Sequence, residues 1–65
     1  MKRIESDADI VARLRRNARV SRAIDVLAWE IRQGDATTRR EAEEGLRNQG
    51  LLVREIAAIK RHLKT

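Results

Sequence analysis

Few side chains in this chain can do chemistry, and their spacing argues against most of it. His62 is the only residue that titrates near neutrality. It stands among Lys60, Arg61 and Lys64 and reads as a solvent-facing residue at a helix end. A single histidine without cysteine builds no zinc site. Glu41, Glu43 and Glu44 cluster as the carboxylates of a metal site would, but Arg39, Arg40 and Arg47 lie at helical spacing to neutralise them. No Ser or Cys nucleophile has a base in view, no Gly-rich phosphate loop occurs, and no paired carboxylates share an apolar pocket. The expectation is a protein without catalysis, cofactor, metal or small-molecule substrate.

Binding is the chemistry that remains. Residues 11–24 hold Arg13, Arg15, Arg16, Arg19 and Arg22 and no acid. On a helix these fan over the side away from Ile10 and Leu14, where several phosphates or an acidic surface would be neutralised at once. Lys60, Arg61 and Lys64 make a second basic group, placed where cations suit the negative end of a helix. The alternative is a solvated face whose arginine stems shield the core. No aromatic ring alternates with these arginines, which excludes a stacking platform for single strands. Twelve of the 15 basic residues are arginine and the net charge is +5. Nucleic acid, an acidic protein surface or an anionic membrane suits that balance, and so does plain solubility; no membrane partner is expected.

Trp29 is the sole aromatic residue. At helical spacing it projects opposite Val20, Ile24, Leu27 and Ile31, with Val26 nearest it. A core so poor in rings argues for burying it. The enrichment of tryptophan at interface hot spots argues for a partner. Trp29 and Val26 are therefore the candidate protein-binding residues.

These residues must be carried by helices. Proline is absent, β-branched alternation is missing, and apolar residues recur at steps of three and four. Ser6 caps a first helix that buries Ile10, Val11, Leu14 and Ala18, with Asp7 and Asp9 at its positive end. The stripe Val20, Ile24, Leu27 and Ile31 is rotated from the first by roughly a quarter to a third of a turn, so a bend falls between Asn17 and Ser21. Gly34 reads as a left-handed C-cap. Thr38 and Glu41 have the spacing of a capping box. The third helix buries only Ala42 and Leu46, and Arg39–Glu43, Arg40–Glu44 and Glu43–Arg47 are spaced to pair along it. After Gly50, Leu52, Ile56, Ile59 and Leu63 form the last stripe.

The expected fold is all-α: a small bundle of about four short helices, at about 7–17, 20–33, 39–49 and 51–64, in one domain. An αα-hairpin of two long bent helices that dimerises also fits. The rotated stripes favour the short-helix version.

The stretch Gly50-Leu51-Leu52-Val53-Arg54-Glu55-Ile56-Ala57-Ala58 resembles the opening of the helix-turn-helix in resolvase-like proteins. That resemblance implies DNA reading. Ile59-Lys60-Arg61-His62-Leu63 follows where the motif wants a turn and a recognition helix. A motif starting at Thr38, with the turn at Arg47-Asn48-Gln49-Gly50, makes the last helix the reader but puts Glu55 where an apolar residue belongs.

Seventeen Ile, Leu, Val and Trp residues make only a thin core in 65 residues, and no disulfide is possible without cysteine. Self-association is the cheapest remaining support. No apolar run approaches the roughly 20 residues of a membrane span, and MKRIESD lacks a signal core, so a cytoplasmic location is expected. Function is expected to be protein binding: a regulator, inhibitor or adaptor that pairs with a protein partner or with itself as a homodimer. DNA or RNA binding through the arginines is the alternative.

Overall fold

The computed structural model describes residues 4–64, so residues 1–3 of the stretch read for a leader lie outside it. Among the described residues there are four helices and no strand: α1 (Asp7–Leu14), α2 (Ala18–Gln33), α3 (Ala36–Asn48) and α4 (Val53–Lys64). No helix among the described residues is long and apolar enough to cross a membrane. The helices are short, as the rotated stripes require. Their pairing is that of a hairpin with both arms broken. α2 packs on α3 and α1 on α4, with a lesser contact between α3 and α4. The resulting body measures 42 × 23 × 17 Å, long and two helices thick.

Local chemistry sets each break. Ser6 accepts from the Asp9 N–H at 3.1 Å while the Asp9 carboxylate accepts from the Ser6 N–H at 3.3 Å, a reciprocal cap on α1. α1 ends at Leu14, three residues earlier than expected, in a tightened turn whose Asn17 N–H donates to the Leu14 carbonyl. The Asn17 side chain then caps α2, accepting from the N–H groups of Arg19 and Val20.

The α2–α3 connection differs from the sequence reading twice. Gly34 is extended, at φ −82° and ψ 165°, and is no left-handed cap. The reason is its neighbour: Asp35 caps α3 directly, accepting from the Thr38 N–H at 2.9 Å. Only two residues join the helices, and an extended Gly34 leads straight into the extended backbone of that cap. α3 therefore starts at Ala36, and the Thr38–Glu41 box does not form. Thr38 instead donates its hydroxyl to the Asp35 carbonyl.

Gly50, at φ +89°, makes the turn after α3, a conformation L side chains rarely adopt. Leu51 and Leu52 form the link to α4, so α4 begins two residues later than expected. Leu52 lies outside the helix and is exposed, and only Ile56, Ile59 and Leu63 of its expected stripe face inward. The Glu55 carboxylate accepts from the Leu52 N–H at 2.8 Å and so caps the start of α4.

The core is one buried cluster of Val11, Val20, Ile24, Leu27, Leu46, Ile56 and Ile59. Every helix contributes, but α3 gives only Leu46. Replacing Leu46 by Ala is expected to cost about 2–5 kcal/mol, enough to unfold a domain this small; a urea titration that moved by less than about 1 kcal/mol would contradict this. Its neighbour Gly45 sits mid-helix with nothing within 4 Å of where a Cβ would stand. Gly45→Ala is expected to raise stability by up to about 1 kcal/mol in the same titration.

Candidate functional site

α2 is the longest helix and carries the most distinctive surface. Val20, Ile24 and Leu27 face the core. At about 100° per residue, Arg19, Arg22, Val26 and Trp29 fall within about 80° of one another on the opposite side. All four are exposed. Trp29 is 59% and Val26 47% accessible, so the indole does not fill a second layer of this chain. A thin body explains it: α3 covers one flank of α2, and nothing in the fold reaches the outer face.

Beside that face runs a groove between α2 and α3. Its volume is about 380 Å³, and Ala23, Val26, Glu30, Glu41, Ala42 and Gly45 line it, with Thr38 at one end. The floor is made of small residues and the carboxylates lie toward the end where α2 and α3 join. Sequence reasoning missed this groove. Gly45 was the available signal, because an interior helical glycine is unfavourable and here marks open space.

The arginines divide into two groups. Arg13 donates to Glu5 at 3.1 Å and to Glu55 at 3.3 Å. The Glu55 side chain is only 12% accessible, and this pair ties α1 to the cap of α4. Arg15 donates to the Ser21 hydroxyl at 2.9 Å and to Asp25 at 3.0 Å, bracing the bend between α1 and α2. Arg61 donates twice to Asp7, at 2.9 and 3.0 Å, across the α1–α4 contact. Lys60 donates to Glu43 at 3.1 Å, so Glu43 pairs across helices and not with Arg39 or Arg47 along its own. Of the expected basic residues, Arg16, Arg19, Arg22 and Lys64 remain exposed and outside these pairs. The fan thus becomes a smaller patch at the start of α2, which shares its face with Val26 and Trp29.

The α3–turn–α4 segment keeps the Gly50 turn of the helix-turn-helix reading. The rest of the motif is put to other uses. Glu55 is a capping and pairing residue, and Arg61 is held by Asp7. His62 is half-buried in the last turn of α4, so it is not the fully solvent-facing residue expected. No group of three His, Cys, Asp or Glu among the described residues is arranged to hold a metal ion. Comparison of the chain with protein-family models, curated proteins and solved structures gives no match.

Two carboxyls are shifted by this architecture. The hydrogen bond from Arg61 holds Asp7 below the ordinary carboxylate value, aided by the charges of Arg61 and His62 and opposed by desolvation. Asp35 is lowered by the backbone and hydroxyl hydrogen bonds of Thr38. Both are depressed in the folded state, so their stabilisation is complete above the unfolded value of about 4 and is lost as pH falls through the lower folded values. Melting temperature should therefore drop below about pH 4. Arg61→Gln and Asp35→Ala should each flatten that drop. An acid transition identical in wild type and both variants would contradict it.

Proposed function

We propose that this chain is a non-catalytic interaction protein, a small helical regulator, inhibitor or adaptor that presents the outer face of α2 to a protein surface. The single observation that carries the reading is the exposed indole of Trp29 beside Val26 and the apolar groove. A tryptophan carries a large apolar surface to leave in water and is enriched at binding hot spots. Arg19 and Arg22, on the same face, supply steering toward acidic surfaces. Acting in the cell interior belongs to this reading.

Exposed Arg16, Arg19 and Arg22 support a second reading, a DNA- or RNA-binding transcriptional regulator. It is the weaker one, because Arg13, Arg15, Lys60 and Arg61 are engaged within the fold and phosphate contacts alone would leave Trp29 and Val26 in water.

A photo-crosslinking residue at position 29, with a control at exposed Arg54, separates the two readings in the native host. Position 29 is expected to give a protein adduct of defined mass that position 54 does not. Failure at position 29, together with a salt-sensitive mobility shift on duplex DNA or RNA that Arg16, Arg19 and Arg22 to Gln abolishes, would replace the first reading with the second.

A further inference from the structure

We propose that the pocket where the end of α2, the start of α3 and the end of α4 meet is a binding site for a compact phosphate anion, a phosphate monoester or a diphosphate group. It is separate from the outer face of α2 and does not rest on the reading of that face.

The pocket has a volume of about 210 Å³, the space of several waters at about 30 Å³ each and room for a phosphate group. Ile31 of α2 and Ala36 of α3 give it an apolar wall, and every other residue that lines it is charged. Helical spacing puts those charges there. Arg39, Arg40 and Glu43 follow Ala36 by three, four and seven residues, which is one face of α3. Lys60 and Lys64 lie one turn apart on α4 and line the same pocket.

One acid stands among four cations, and Lys60 takes it, donating to Glu43 at 3.1 Å. Arg39 thereby loses the partner that spacing along α3 offered it. Among the described residues Arg39, Arg40 and Lys64 have no carboxylate partner. Arg39 is also half-buried, so its charge is screened less than that of a fully solvated arginine. A concave site with an apolar wall and charge of one sign focuses the field and draws counter-ions. Guanidinium forks match two phosphate oxygens at once, and lysine adds a point charge. Three unpaired cations gathered at one place suit an anion that carries two or three charges on neighbouring oxygens. A carboxylate brings one charge. A nucleic-acid backbone brings one per phosphate, strung along a chain.

NMR titration of the whole chain with inorganic pyrophosphate at about 0.15 M salt tests this. Amide shifts are expected to saturate by about 1 mM and to be confined to residues 36–43, residues 60–64 and the end of α2. Arg40 and Lys64 are exposed and hold no contact of the fold, so Arg40→Gln combined with Lys64→Gln should keep the helices and weaken binding at least about tenfold. Arg19→Gln combined with Arg22→Gln removes the same charge from α2 and should leave the affinity within about twofold of wild type.

No saturable shift by about 10 mM would overturn the assignment. Equal losses in the two double variants would also overturn it, because diffuse charge would then account for the binding. An oligonucleotide without terminal phosphates distinguishes the source of the phosphate. It is expected to leave the amides of the pocket unmoved. Displacement of pyrophosphate by that oligonucleotide would give the pocket to a nucleic-acid backbone and end the compact-anion assignment.

Discussion

Ile24, Leu27, Leu46 and Ile59 are the large side chains wholly withdrawn from water, and the rest of the molecule is arranged to keep them there. With one aromatic ring in the chain and none in the core, the interior is aliphatic and only one layer deep. A helix in such a body has one neighbour to hide against. α2, pressed on α3 along one flank, is left with a second side that no other element reaches. The exposure of Trp29 and Val26 follows from that shortage.

The ion pairs are the second consequence of a thin interior. Asp7–Arg61 and Glu55–Arg13 join α1 to α4, and Glu43–Lys60 joins α3 to α4. Each is at the surface, where one such pair contributes little. Their effect is on geometry: they tie α4 to α1 on one side and to α3 on the other. They also change the meaning of the positive charge. Four of the eight basic residues that looked available for a partner are occupied inside the fold, and what remains free is concentrated where α2 begins.

Much of the fold was legible because its causes are local. Ser6, Asn17 and Gly50 act through their own backbone neighbourhoods, and the rotated stripes of α1 and α2 announced the bend. The misreadings came where two local solutions compete. Asp35 and Thr38 can each cap a helix, and Asp35 wins because it takes the Thr38 N–H and its short link from Gly34 fits an extended backbone. Leu52 looked like part of the last stripe, but the Glu55 cap starts α4 after it. The candidate site was half legible. Trp29 and Val26 stood out by type and angle. The groove did not, since Ala42 and Gly45 come from a helix distant in sequence, and neither Asp7–Arg61 nor Arg13–Glu55 has any signature in spacing along the chain.

The central claim is that the outer face of α2 is wet in the isolated chain and covered in the working one. Trp29 reports on this without a label, being the only indole. Quenching of its fluorescence by a neutral quencher, in the isolated chain and again with the protein captured by crosslinking at position 29 added, is the most direct measurement. Efficient quenching in the dilute isolated chain that falls when that protein is added, with the emission shifting to the blue, is the expected result. An indole sealed from the quencher in the dilute isolated chain would contradict it, as would one equally open with that protein bound.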